Sequence, residues 1–192
     1  MSFPILTILA LLPLIGGAIV LGVKGRSGRA TGLVISIVTA VLGVIAFIAA
    51  ANGTDVSENY HWIKAIGAWY ALSSDGLGMT LVLMTVVLVP VVLLAEWNIG
   101  EKEPSDGTQT WGANVFSGLA LMTEGLAIYC FTAVDVLFFY LIFEASLVPM
   151  YFLISGWGGA RRRRAAIKFL IYSLAGGLVM LFGVIGVGAH AD

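Results

Sequence analysis

Hydrophobic positions fall into six long runs separated by short polar stretches. Read with a window of about 19 residues, they lie at approximately Phe3–Val23, Ala30–Ala51, Gly76–Ala95, Gly112–Ala133, Asp135–Ser155 and Lys168–Gly188. Each is long enough to cross a hydrocarbon core of about 30 Å as a helix. The pattern predicts an all-α, polytopic membrane protein with about six spans.

Composition agrees. Of 192 residues, 59% are hydrophobic and 11% charged, against about 25% charged in a typical soluble domain. The net charge of −1 says little about partners, because the charges cluster between the spans. The single cysteine, Cys130, excludes a disulfide framework and a thiolate metal site and reads as a helix-packing residue. No metal site is assigned.

Charge order sets the expected orientation. No basic residue precedes the first span, and Lys24, Arg26 and Arg29 follow it, which favours an uncleaved anchor with its N-terminus outside. The loop at about 52–75, with Asp55, Glu58, Lys64 and Asp75, then lies outside. The loop with Glu96, Glu101, Lys102, Glu103 and Asp106 lies inside by alternation. Arg161, Arg162, Arg163 and Arg164 form a short basic loop on the inner side. They are expected to hold topology and to touch anionic lipid headgroups, worth about 1 kcal/mol per residue; nucleic-acid binding is not the reading here. Tyr60, Trp62, Trp69 and Tyr70 in the outer loop suit an interfacial aromatic belt, with His61 solvated or interfacial. Gly32, Ser36 and Ala40 recur every four residues, a spacing that lets membrane helices approach closely. Gly186–Ala191 matches a dinucleotide fingerprint by spacing alone, since it ends a hydrophobic helix instead of following a strand.

The most informative residue is Glu144. It lies roughly 14 Å along the helix from Asp135, near the middle of the bilayer. A carboxylate there costs on the order of 2.5–3.5 kcal/mol to insert and marks a candidate proton or ion relay. Helical spacing places Tyr140 and Tyr151 on its face, where their phenols could share hydrogen bonds with it. Pro149 lacks an N–H and frees the carbonyl of Ala145. Lys168, at the inner end of the sixth span, is a weaker candidate that could equally snorkel to the interface. Glu124, midway along the fourth span, is another. The alternative for Glu144 is a structural role, kept neutral by burial or paired with a helix-end lysine.

Residues 75–90, 139–154, 157–159 and 164–172 together resemble the chain M (chain 4) family of membrane subunits of respiratory complex I, the proton-pumping NADH:quinone oxidoreductase. The resemblance runs from about Trp69 to Leu181, and a Glu followed by Pro five positions later favours chain M over the related chains and over multi-subunit cation/proton antiporters. It implies a subunit of about fourteen helices with two inverted five-helix repeats. In it, a fifth-helix glutamate, matched by Glu144, pairs with a lysine on a broken seventh helix, and Lys168 matches a basic position at the start of the sixth helix. The broken helix and its lysine are not among these residues, so an N-terminal part of a longer subunit is expected: residues 1–111 with spans one to three and the outer loop, and 112–192 as the start of the first antiporter-like repeat. The resemblance also implies that NADH, flavin, iron–sulfur clusters and quinone belong to partner subunits, that this chain holds no cofactor, and that it sits in a bacterial plasma membrane among other complex I subunits, carrying protons. A cation/proton antiporter subunit and a structural membrane scaffold are the other readings.

Overall fold

A computed structural model describes residues 4–23, 26–63, 68–97 and 111–188. Lys24, Lys64, Glu101, Lys102, Glu103, Asp106 and the end of the 186–191 stretch lie outside the described residues. The chain runs α1 (Ile5–Gly22), α2 (Arg26–Ala51), β1 (Glu58–Ile63), β2 (Ala68–Leu72), α3 (Gly76–Ala95), α4 (Ala113–Thr132), α5 (Val136–Trp157) and α6 (Arg162–Gly188). All six helices are long and apolar enough to cross a membrane.

The first five helices begin and end within about three residues of the sequence expectation, except that α2 starts earlier. The sixth differs more. It begins at Arg162, so Arg162, Arg163 and Arg164 form its first turn instead of a loop, with Arg161 in the turn before. The Arg162 N–H donates to the Gly159 carbonyl at 2.9 Å and that of Ala165 to Arg161 at 3.1 Å. A hydropathy window averages four arginines out of a span, whereas backbone hydrogen bonding does not. Cations at a helix N-terminus oppose its dipole by about 0.3–1 kcal/mol each, so their placement is not explained by helix stability.

α4 is the central helix: 61% of its apolar window is buried, against 6% for α6 at the edge. α1 packs along α4 through glycines. A Cβ on Gly17 would stand 2.5 Å from the Gly118 carbonyl, and one on Gly125 would stand 2.5 Å from that of Ala10. Only glycine allows backbones this close, which increases dispersion contact where lipid offers no hydrophobic driving force. The small-residue row of α2 works similarly: Gly32 meets Ser117 of α4, and Ser36 is fully buried with its hydroxyl donating to the Leu33 carbonyl. Leu6, Leu9, Met79, Val82, Val86 and Ile128 fill the core between these helices. α5 packs on α4, and α6 on α5.

The loop at 52–75 holds a two-stranded antiparallel hairpin that the aromatic pattern alone did not announce. Glu58 pairs with Leu72 and Tyr60 with Tyr70, with a register shift between His61 and Ile63. His61 is exposed and lies against Trp69, ring centroids 3.4 Å apart. The hairpin is stitched to the α4–α5 turn. Ser73 N–H donates to the Thr132 carbonyl at 2.7 Å and Val134 N–H to that of Ala71 at 3.0 Å. Asp135 caps α5 by accepting from the Phe138 N–H at 2.9 Å, while its other oxygen accepts from the Trp69 N–H at 3.0 Å. Asp75 caps α3 in the same way through the Gly78 N–H.

Candidate functional site

α5 carries Glu144 eight residues past its first, so the carboxyl stands about 12 Å along the axis. The helix runs unbroken through Val136–Trp157 but lacks one backbone donor nearby. Pro149, buried within α5, cannot donate to the Ala145 carbonyl, and in a membrane such a group must find another partner. The Glu144 side chain is half-buried and points at α6. Its Oε1 is fully enclosed and makes no hydrogen bond. The enclosing surface is the backbone of Gly177: a Cβ there would overlap Oε1 and stand 3.3 Å from Cδ. The Tyr140 ring edge borders the same space, 3.6 Å from that Cβ position.

The expected phenol contacts do not form. Neither Tyr140 nor Tyr151 hydrogen-bonds to Glu144, and Tyr151 packs instead edge-on against Phe152, centroids 5.4 Å apart. Sharing a helix face places side chains side by side without turning the hydroxyls toward the carboxyl.

Lys168 is not brought to Glu144 either. It lies nine residues before Gly177, about 13 Å along α6. Ala166 and Gly177 form the buried face of α6 toward α5, while Lys168 and Tyr172 are exposed on another side. That position at the end of the helix suits snorkelling. Arg161, Arg163 and Arg164 are exposed beside it, with Arg162 half-buried.

Glu124 is more deeply enclosed than Glu144. It is 1% exposed, and neither carboxyl oxygen has a hydrogen-bond partner. It shares a face of α4 with Ser117, two turns away, which meets Gly32 of α2. The α4–α5 hairpin is fixed by Tyr129 against Phe138 at 5.8 Å and Trp111 against Trp157 at 5.9 Å. That register sets Glu124 level with Glu144. The two acids therefore share a depth on different helices: Glu124 is enclosed on the α4 face that carries Ser117, and Glu144 points toward α6.

Two contributors were not visible in the sequence. Gly177 is one, since it reads as half of an unremarked Gly176–Gly177 pair. The other is Glu58, expected as an outer-loop charge but 2% exposed in the fold. It accepts from the backbone N–H groups of Leu6 at 2.8 Å and Thr7 at 3.0 Å, and from the Thr7 hydroxyl. The Thr7 hydroxyl also meets the Tyr70 hydroxyl at 2.6 Å, and the Tyr70 hydroxyl stands 3.3 Å from that of Tyr129 on α4. Cys130 is a free, partly buried thiol. Among the described residues no three His, Cys, Asp or Glu side chains gather as a metal site would require.

The family model described as "NADH:quinone oxidoreductase/Mrp antiporter, TM" matches residues 133–190. Subunit M of the NADH-quinone oxidoreductase of Mycobacterium tuberculosis is 38% identical over 96% of this chain and 38% of its own length. Subunit M of the F(420)H(2) dehydrogenase of Methanosarcina mazei is 32% identical over 95% of this chain and 36% of its own. A chain in the structure of respiratory complex I from Thermus thermophilus with bound NADH superposes with a TM-score of 0.78 at 29% identity, covering 94% of this chain and 35% of that one. The chain thus spans little more than a third of the proteins it matches, and along almost its whole length it follows them. It is an integral membrane protein, and along almost its whole length it is similar to the antiporter-like membrane subunits of respiratory complex I, the NADH:quinone oxidoreductases.

Proposed function

We propose that this chain is part of a membrane-arm subunit that translocates protons as quinone is reduced, with Glu144 as an intramembrane proton carrier. The observation that carries this reading is the state of the Glu144 carboxyl. It lies mid-helix, one oxygen is enclosed without a hydrogen bond, and a proline one turn away removes a backbone donor. An ionised carboxylate is expensive at that depth, and side chains of this kind usually exchange protons with a partner or a hydrated path. Lys168 and Glu124 are secondary candidates. Lys168 serves the inner mouth if it takes part, and Glu124 is a second acid at the same depth on a different helix.

The chain itself does no redox chemistry in this reading. Its relatives are named for different electron donors, NADH in one and F(420)H(2) in another, which fits donor binding in other subunits. NADH, flavin, iron–sulfur clusters and quinone are assigned to those partners. The N-terminus and the hairpin face outside a bacterial plasma membrane, and Arg161–Arg164 face the cytoplasm and anionic lipid. The test is association with function. The full-length subunit, extracted in mild detergent, copurifies with quinone-reductase subunits, and vesicles containing it take up protons on NADH addition. A stable, active monomer free of such partners contradicts it.

A cation/proton antiporter subunit is the second reading, because the matching family model covers both groups. Neighbouring genes discriminate: quinone-reductase subunits support the first reading, antiporter subunits the second.

A further inference from the structure

We propose that Gly177 is a positioning residue for Glu144, its missing side chain forming the α6 wall of the space that holds the carboxyl. The inference rests on the relay reading of Glu144 and adds a residue to it. Glycine inside a helix costs about 1 kcal/mol relative to alanine, and α6 carries two in succession. Gly176 faces open space, with no atom within 4 Å of an added Cβ. Gly177 is buried, on the same α6 face as Ala166, and its Cα lies against the Glu144 carboxyl. A Cβ there would overlap Oε1, stand 3.3 Å from Cδ and leave Tyr140 at an ordinary contact distance of 3.6 Å. The collision is therefore with the carboxyl alone.

What gives way decides the consequence. The Glu144 carboxyl is the tip of a flexible side chain, so it can swing aside while the two helices keep their packing. Gly177→Ala thus displaces the acid with little strain on the fold. The orientation of a reacting group matters as well as its distance: the methyl turns the carboxyl away from α6, whereas a shorter stem leaves its direction unchanged. An aspartate at 144 would be one methylene shorter and would hold its carboxyl clear of the new methyl.

The experiment measures NADH-driven proton uptake per assembled complex in inverted vesicles, using the whole complex. Gly177→Ala is expected to lower uptake about tenfold or more with normal assembly, and Gly176→Ala to leave it unchanged. In the Glu144→Asp background, adding Gly177→Ala should cost nothing further. Parental uptake in Gly177→Ala overturns the inference, as does an equal loss in the Glu and Asp backgrounds, which would place the effect in helix packing. If Gly177→Ala fails to assemble, restored assembly in the Glu144→Asp double variant supports the contact, and continued failure overturns it. Glu144→Gln serves as a separate control: if it pumps normally, the relay reading fails, whereas loss in Glu144→Gln with parental Gly177→Ala removes only the positioning role.

Discussion

Glu58 of the β1–β2 hairpin closes the end of the first helix, accepting the backbone N–H of Leu6 at 2.8 Å across 52 residues of sequence. The first N–H groups of a helix have no partner within it. Here a buried carboxylate supplies one from another element, at the helix end where the dipole favours negative charge. Through Thr7 and Tyr70 the same cluster reaches Tyr129 on the central helix.

Glu58→Ala leaves buried donors without an acceptor, at about 1–3 kcal/mol. The expected result is a lower unfolding temperature of the purified complex and faster proteolysis in the hairpin. Glu58→Gln keeps one acceptor oxygen and should fall between Ala and the parent. An unchanged unfolding temperature for Glu58→Ala contradicts the capping role.

Helix association between α1 and α4 depends on glycine at the contact. A side chain at Gly118 would meet the Gly17 carbonyl 2.9 Å from its Cβ, as well as the Leu21 side chain, and the Gly17 backbone cannot yield cheaply. Gly118→Val should reduce the amount of assembled subunit several-fold, while Gly183→Ala, at a position with open space around it, should not. Equal abundance of the two variants would show that the glycine contact is not needed.

Orientation is open to direct measurement after Cys130 is replaced by Ala. Single cysteines at Asn59 and Arg163, both exposed, should react with an impermeant thiol reagent from opposite sides of sealed vesicles, Asn59 from outside. Reaction of both from one side would remove the six-span arrangement.

The sequence readily discloses what depends on local pattern. Span number and type follow from apolar runs, and the depth of Glu144 and Glu124 follows from rise per residue. The lost backbone donor at Pro149 follows from one missing N–H. Features made by distant pairs stay hidden. Glu58 and Leu6 are 52 residues apart, and nothing near Glu58 separates it from a solvated loop charge. The Glu144–Gly177 contact needs the rotation of α6 about its axis, which a nearly uniform apolar helix does not encode. That rotation also sends Lys168 away from Glu144. The hairpin is obscured because the polar–aromatic alternation of residues 59–62 fits an interfacial belt as well as a strand, and the strand is exposed after its first residue. The phenols of Tyr140 and Tyr151 share a helix face with Glu144 as spacing requires, but side-chain direction, which spacing does not give, keeps their hydroxyls apart from it.

As an intramembrane carrier, Glu144 is proposed to gain and lose a proton in each turnover. Glu144→Gln keeps the shape and much of the hydrogen-bonding reach but cannot ionise, and Glu144→Asp keeps the acid on a shorter stem. The decisive measurement is NADH-driven proton uptake in vesicles, normalised to assembled complex. Both variants should assemble, with pumping lost in Glu144→Gln and largely retained in Glu144→Asp. A Glu144→Gln complex that assembles and pumps like the parent would make Glu144 a structural residue and rule out its role as a proton carrier.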